Sequence, residues 1–285
     1  MKKILFFALA IALFATGCKN EDPTLDLALN GLEDLGADYV YEGWIMVDGS
    51  PVSTGTFTVD ASGTPSQTSF SLEGIDNAAN ATRFVLSIEP ANDPDPAPSA
   101  VKMLAGDFSG DVATVNTDLI ADFSGSMGYF LLATPTTTSM DDDLSGVWFI
   151  NNGAAGLTLP TLAEGWAYEG WAVINGTPVS TGTFLDGTAG DDSGVHNGLD
   201  AAAPPFPGED FINNAPNGLT FPTDLTNMPI VVSVEPVPDN SPAPFTLKPL
   251  SGMSPETGTV VGTSYSMTND AVGFPTGTVT RNLDN

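Results

Sequence analysis

Carboxylates are the main side chains of this sequence that could do chemistry. The chain holds 35 aspartates and glutamates against 7 lysines and arginines, with one histidine and one cysteine. Two glutamates occur twice, because Glu42 matches Glu169 and Glu89 matches Glu235. Paired carboxylates carry out glycoside hydrolysis, but an active site is seldom kept in both copies of a small duplicated domain. We therefore predict no enzymatic activity, with Glu42 facing solvent and Glu89 accepting backbone N–H groups at a turn.

The single histidine, His196, lies in the segment DDSGVHNGLD beside Asp191 and Asp192. A catalytic role would make it a base acting on a serine, but the sequence has no G-x-S-x-G motif to supply that serine. One histidine and one cysteine also cannot form the usual nitrogen and sulfur ligand set of a transition metal. We predict a solvent-exposed loop histidine and no cofactor.

Calcium is a more plausible ligand, because acidic loops offer the oxygen atoms that hard cations select. The weak candidates are Asp93 and Asp95 in NDPDP, and Asp191 and Asp192 in DGTAGDDSG. No EF-hand spacing accompanies them, and acidic loops are more often simply solvated. The sequence therefore predicts no metal site beyond these weak candidates.

The segments around the repeated glutamates are themselves duplicated. Tyr41–Phe57 recurs as Tyr168–Phe184 with 12 of 17 positions identical, and Val85–Leu104 corresponds to Val231–Leu250. The first pair is offset by 127 residues (168 − 41) and the second by 146 (231 − 85). The second copy therefore carries 19 extra residues, an insertion that we place near 187–228.

Each copy begins with a predicted β-hairpin. Aromatic and β-branched residues flank Asp48-Gly49 in the first and Asn175-Gly176 in the second, and such dipeptides accept the positive φ angles of a type I′ turn. Short strands, frequent turn residues and little helical periodicity follow in both copies. We predict an all-β protein of two tandem immunoglobulin-like antiparallel β-sandwich domains. The predicted division is a signal peptide at 1–18, a tether at 19–31, a first domain at 32–143 and a second domain at 144–285.

The N-terminus resembles a bacterial lipoprotein signal. Lys2 and Lys3 precede the apolar run Ile4–Phe14, and small residues lead to Cys18, the order of a secretory signal. Lipidation of Cys18 would make the protein exported and membrane-anchored, and the acidic residues after it resemble a surface-export tag, which favours the outer membrane or the cell surface. An ordinary cleaved signal is the alternative.

The charge excludes nucleic acid as a partner. The formal net charge is −28, and removal of Lys2 and Lys3 with the signal would bring it to about −30. Binding to phosphates requires clustered lysines and arginines, whereas the remaining basic residues are scattered along the chain. We expect the membrane to be contacted through the lipid anchor alone.

Four tryptophans could stack on sugars if they were exposed. Trp44 and Trp171 occupy the same place in the two copies, which favours packing in the core. Trp166 matches Tyr39, so we expect both at a surface or between the domains. With Trp148, these residues leave a carbohydrate-binding or structural surface lipoprotein as the alternative function.

The duplicated motifs resemble the extracytoplasmic C-terminal domain of the anti-sigma-K factor family. The features are Trp44 followed by G-x-PVS-x-GTF at 49–57, then a segment that ends in Glu-Pro and a proline-rich turn, together at 85–98; Trp171 begins the second set. The resemblance implies an exported β domain. The family's cytoplasmic sigma-binding domain is not found in this sequence, so we expect an interaction or sensing module without that domain.

A partner of such a module would be an envelope protein or a glycan. The proline-rich loops and the insertion are the predicted contact regions, because extended proline segments leave their backbone exposed. The candidate partner-binding residues are Pro94, Pro96, Pro98, Pro242, Pro244, Phe206 and Phe211.

Overall fold

The chain folds almost entirely into short antiparallel strands. The computed structural model describes residues 22–283, so Cys18 and the predicted signal peptide lie outside the described residues. Within 22–283, the structure has no helix with the length and apolar content needed to cross a membrane. The all-β fold with antiparallel sheets is confirmed.

The strands, in chain order, are as follows. The first ten are β1 Thr24–Asn30, β2 Tyr39–Val47, β3 Ser50–Phe57, β4 Ser69–Ser71, β5 Arg83–Pro90, β6 Lys102–Ser109, β7 Val112–Val115, β8 Met127–Leu132, β9 Gly146–Trp148 and β10 Ile150–Asn151. The remaining ten are β11 Ala154–Ala155, β12 Leu157–Thr158, β13 Trp166–Ile174, β14 Thr177–Phe184, β15 Gly208–Asp210, β16 Pro229–Pro236, β17 Leu250–Met253, β18 Ser264–Ser266, β19 Thr268–Asn269 and β20 Thr276–Asn282. Single 3-10 turns lie at Ala78–Asn80 and Ala271–Gly273.

The two hairpins, β2–β3 and β13–β14, form as the turn residues predict. Asp48 and Gly49 have φ angles of 49° and 78°, and Asn175 and Gly176 have 52° and 85°. Positive φ at both central positions is the requirement of a type I′ turn. Each hairpin also shifts its register once, directly before its tryptophan, so the paired arms have the same geometry.

Each hairpin is extended by a further strand on the side of its first arm. The largest sheet has the order β3-β2-β5-β6-β7-β20-β1-β4, and a five-stranded sheet has the order β14-β13-β16-β17-β19. A third sheet has the order β12-β8-β9-β15, with β18 also paired to β8, and β10 pairs with β11. The repeated glutamates therefore lie on neighbouring strands. Glu42 is on β2 and Glu89 on β5 beside it, and Glu169 is on β13 and Glu235 on β16 beside it.

Strand pairing crosses the predicted domain boundary at 143/144 in two places. Strand β8, from the predicted first domain, pairs with β9, β12 and β18 of the second. Strand β20, from the predicted second domain, lies between β7 and β1. The predicted tether also contains β1, whose buried Leu25 and Leu27 alternate with polar residues and pack into the core. Most buried apolar residues of both halves belong to one continuous cluster, while Trp44, Val85 and Ala105 form a second, small one.

The predicted insertion near 187–228 is part of this core. Strand β15 pairs with β9, and Phe211 and Leu225 are fully buried. The backbone of the insertion is also hydrogen-bonded to Thr136, which lies outside it. Asp200 N donates to the carbonyl oxygen of Thr136, and Gly198 N donates to its hydroxyl oxygen. The insertion thus extends the sheet that holds β8 and β9 by one strand.

Candidate functional site

A buried hydrogen-bond chain links a tryptophan, a serine and a glutamate in the first half of the molecule. The indole Nε1 of Trp44 donates to Ser87 Oγ at 2.8 Å, and the Ser87 hydroxyl donates to Glu89. Glu89 also accepts the backbone N–H of Ser99 at 2.8 Å, as expected of a glutamate at a turn. These hydrogen bonds hold the side chain of Glu89 in place at the end of β5.

The same chain occurs in the second half. Trp171 Nε1 donates to Ser233 Oγ at 2.8 Å, and the Ser233 hydroxyl donates to Glu235. The backbone N–H of Phe245 takes the place of Ser99 and donates to Glu235 Oε1 at 2.9 Å. A polar network preserved at both places satisfies groups that would otherwise be unpaired in the core.

The hairpin glutamates lie on the strands beside these networks. Glu42 accepts the hydroxyl of Ser53, and Glu169 accepts that of Ser180. Glu42 is half-buried, so its expected position facing solvent is only partly correct, and its counterpart Glu169 is buried. The second hairpin therefore places an acidic side chain inside the protein.

Three carboxylates come together in the second half. One oxygen from each of Glu169, Glu235 and Asp239 lies within 4.8 Å of the other two. Burial, with smaller contributions from the charges of Asp239 and Asp192, raises the pKa of Glu169 to about 7. Burial likewise raises the pKa of Glu235 to about 7, with Asp239 and Glu169 adding to the effect. An arrangement of this kind binds a proton or a cation.

This cluster contains none of the calcium candidates that the sequence suggested. Asp93 and Asp95 are exposed, and their carboxylates accept backbone N–H groups of their own loop. Asp191 accepts Gly208 N at 2.7 Å, and Asp192 accepts Thr183 N at 2.7 Å. These contacts hold loops in place. Glu169, Glu235 and Asp239 were missed as a set, although the offset of 146 places Asp239 opposite Asp93.

An acidic cleft adjoins the carboxylate cluster and shares Asp239 with it. The cleft has a volume of about 260 Å³ and lies between the segment 33–39 and the loop 236–242. Its residues are Glu33, Asp34, Leu35, Gly36, Tyr39, Ile88, Val101, Pro236, Pro238, Asp239, Asn240, Ser241, Pro242 and Phe245. Burial raises the pKa of Glu33 to about 7, and the positive charge of Lys248 partly opposes this.

The predicted partner-binding prolines lie at the surface, but Phe211 does not. Pro94, Pro96 and Pro242 are exposed, and Pro98, Pro244 and Phe206 are half-buried. Of these, Pro242 lines the acidic cleft. Phe211 is 0% exposed and packs against Phe221, so its assignment to partner binding is wrong. Its aromatic ring is a part of the insertion that packs into the core.

His196 is buried rather than solvent-exposed, which corrects a second expectation. It is 8% exposed and packs against the rings of Phe211 and Phe221. Its ring Nδ1 lies 3.1 Å from the carbonyl oxygen of Asn213, and burial lowers its pKa. The histidine therefore stays neutral near pH 7 and supports the insertion, while its backbone N–H donates to Glu209.

The four tryptophans do not form a platform for sugars. Trp44, Trp148, Trp166 and Trp171 are each at most 3% exposed. Trp166 lies between the two halves, which is one of the two positions expected for it. Its Nε1 donates a hydrogen bond to the carbonyl oxygen of Lys102 at 3.3 Å. Stacking on a polysaccharide requires an open ring face, which none of these residues offers.

Comparison with known proteins gives one family. Residues 18–102 match the family described as anti-sigma-K factor rskA, C-terminal. No curated protein matches the chain significantly, and neither does any solved structure. The matched stretch includes the first hairpin and the Trp44–Ser87–Glu89 chain. This part of the protein is therefore similar to an anti-sigma-K factor C-terminal domain, and the match supports an anti-sigma-factor-like module.

Proposed function

We propose that this chain is a non-enzymatic interaction module of the cell envelope, anchored through a lipid on Cys18, that binds a basic segment of a partner protein. The family match to residues 18–102 supports an anti-sigma-factor-like module. The acidic cleft is the observation on which the proposal rests. It lies between the proline-rich loop 236–242 and the segment 33–39, and it is lined by Glu33, Asp34 and Asp239. The similarity of the second half extends the proposal to two tandem copies of the domain.

The cleft suits a lysine or arginine side chain on an otherwise apolar segment. Tyr39, Ile88 and Phe245 provide apolar walls, while Asp34 and Asp239 provide carboxylates. Long basic side chains lay an apolar stem along such walls and keep the charged head at a carboxylate. The cleft therefore offers both parts of the contact.

The negative charge of the cleft is not neutralised by ion pairs. Within residues 22–283, the salt bridges are Arg83–Asp107 and Arg281–Asp111, both elsewhere. Lys248 lies close to Glu33 but donates its hydrogen bond to the carbonyl of Phe245. With a formal net charge of −28, the protein attracts basic partners and speeds their association at low salt.

Binding can be tested with a fluorescent peptide in which lysines alternate with leucines, titrated against the full chain. We expect saturable binding that weakens with salt, and about tenfold weaker binding for Asp34→Asn because one carboxylate is lost. Asp95→Asn, on the exposed proline loop of the first half, is the matched control and should bind normally. Equal losses in both variants would show that only the overall charge matters.

The partner can be located by a photo-crosslinking amino acid placed at Pro242, with Pro96 as the control position. We expect an envelope protein to crosslink from position 242 and to be reduced by Asp34→Asn. Crosslinking of the same protein from both positions with equal yield would overturn the assignment to the cleft.

The lipid anchor needs its own experiment. Incorporation of a labelled fatty acid is expected in the full chain and not in Cys18→Ser. The variant should also leave the membrane fraction, since the acidic body has little attraction to anionic lipids. Membrane association that survives Cys18→Ser would contradict the anchor.

A further inference from the structure

We propose that Glu169, Glu235 and Asp239 bind one calcium ion. This proposal rests on the geometry of three carboxylates and one unpaired oxygen, and of these three residues only Asp239 also lines the cleft. The three residues come from β13, from β16 and from the loop after β16.

The strand pairing explains why these side chains meet. Strands β13 and β16 are antiparallel, with Glu169 opposite Ser233 and Ala167 opposite Glu235. Glu169 and Glu235 are two residues apart in register and lie on the same face of the sheet, where diagonal side chains reach each other. Asp239 then approaches from the loop that follows β16.

The distances are suitable for calcium. The three oxygens are at most 4.8 Å apart, so a point exists within about 2.8 Å of all three, near the 2.3–2.6 Å of calcium–oxygen contacts. Magnesium requires about 2.0–2.1 Å in a near-ideal octahedron, whereas calcium accepts a flexible arrangement of oxygens. The ligands are all oxygens, which also disfavours zinc and copper.

Glu235 supplies the second observation. Its residue is 1% exposed, and its Oε1 accepts hydrogen bonds from Ser233 and from Phe245 N. Its Oε2 is buried and has no hydrogen-bond partner among the described residues. A buried carboxylate oxygen without a partner is unfavourable, and a cation bound to it removes that cost.

The first half shows what the same residues do without such a site. Glu42, Glu89 and Asp93 occupy the matching positions, but within residues 22–283 only the set in the second half brings one oxygen of each residue within 4.8 Å of the other two. Glu89 has both oxygens engaged, because Ser99 N lies 2.8 Å from Oε1 and 3.1 Å from Oε2. Among the described residues, Glu235 thus has an unpaired oxygen where its counterpart Glu89 has none.

The nearby positive charge does not neutralise the cluster. Lys248 Nζ donates to the carbonyl of Phe245 at 2.6 Å, and its charge acts on Glu235 and Glu33. Within residues 22–283 this ammonium group acts on Glu235 and on the half-buried Glu33, whereas the cluster alone holds three carboxylates. A divalent ion in the cluster would balance the excess negative charge.

The test is a calorimetric titration of the purified full chain with calcium chloride, together with its melting temperature with and without calcium. We expect one saturable site with a dissociation constant at or below about 1 mM, the range of extracellular calcium modules. Calcium should raise the melting temperature, since a ligand that binds only the folded state stabilises it.

Matched variants separate the site from the general negative charge. Glu235→Gln and Asp239→Asn should remove the saturable binding, while Glu89→Gln and Asp93→Asn should retain it. Asp239 is exposed, so its variant keeps the test valid even if Glu235→Gln unfolds the protein. Absence of saturable binding, or equal loss in both pairs, would overturn the proposal. Because Asp34→Asn leaves the cluster intact, the cleft and the calcium site can fail separately.

Discussion

Trp148 donates a hydrogen bond from its indole Nε1 to the carboxylate Oδ1 of Asp210 at 2.7 Å, and both residues are almost completely buried. The contact joins β9 to β15, the strand that the insertion contributes. Asp210 also accepts the backbone N–H and the hydroxyl of Thr136. One carboxylate therefore connects three separate parts of the chain.

Asp210→Ala should lower the free energy of unfolding by about 3 kcal/mol, because it leaves buried donors of Trp148 and Thr136 without an acceptor. Asp210→Asn retains one acceptor oxygen and should lose less. Urea denaturation followed by tryptophan fluorescence measures both. Equal stability of Asp210→Ala and the natural chain would contradict the central role of this contact.

Deletion of 204–222 should destabilise the protein severely rather than leave the fold intact. The deletion removes β15 and Phe211, and it exposes the apolar surface that Phe211 covers. Loss of a buried phenylalanine alone costs about 3–5 kcal/mol. Circular dichroism during heating checks this expectation. A folded and soluble deletion variant would show instead that the insertion is dispensable to the core.

Ser233→Ala and Ser87→Ala should lower stability by similar amounts, about 1–2 kcal/mol each. Each substitution removes the acceptor of a buried indole N–H and a donor to a buried glutamate. Parallel urea titrations measure the two losses. A much larger loss for one serine would mean that the two networks contribute differently to stability.

Stability should fall as pH rises from about 4.5 to about 7, and Glu209→Gln should reduce this fall. Burial raises the pKa of Glu209 to about 7, with Asp191 adding to the effect. The folded state therefore holds a proton that the unfolded state releases, and this contribution is present below pH 4.5 and lost through pH 7. The change is at most about 3 kcal/mol.

Denaturation of the natural chain and of Glu209→Gln at pH 5 and pH 8 measures the effect. The variant should gain relative stability at pH 8, where the natural side chain is ionised and its Oε2 has no partner within residues 22–283. His196 works in the opposite direction, because its lowered pKa makes protonation at low pH destabilising, but it is unchanged in both proteins. A difference that is the same at both pH values would contradict the prediction.

Gly176→Ala should lower stability by about 1 kcal/mol, because alanine is strained at a φ angle of 85°. Gly49→Ala, at 78°, should behave alike. No neighbouring atom would contact the added methyl group at either position, so backbone strain alone is measured. Gly190→Ala is the control, since that glycine has open space and lies outside the positive-φ region. An equally large loss of stability in Gly190→Ala would contradict backbone strain as the cause.

The sequence predicted local structure better than the pairing of distant segments. Asp48-Gly49 and Asn175-Gly176 determine their turns through their own φ preferences, so the hairpins could be read directly. The placement of β20 beside β1 depends on the whole core, and nothing within Thr276–Asn282 specifies its neighbour.

The site was predictable only in part. Repetition identified Glu169 and Glu235, yet their burial depends on β16 and on the loop that carries Asp239. His196 and Phe211 were wrongly placed at the surface because polar and proline-rich neighbours suggested an open loop. Their positions follow from mutual packing with Phe221, a contact that no local pattern encodes.

The pairing of β1 with β20 determines when folding can finish. The side chains of Thr24 and Asn282 hydrogen-bond across 258 residues of chain, and β20 is the strand that connects β7 to β1. Contacts so distant in sequence form late, because a long loop must close first. Until β20 arrives, the edge of β7 has unpaired backbone groups that can pair with another chain. Incompletely synthesised protein that lacks β20 should therefore aggregate more readily than the completed fold.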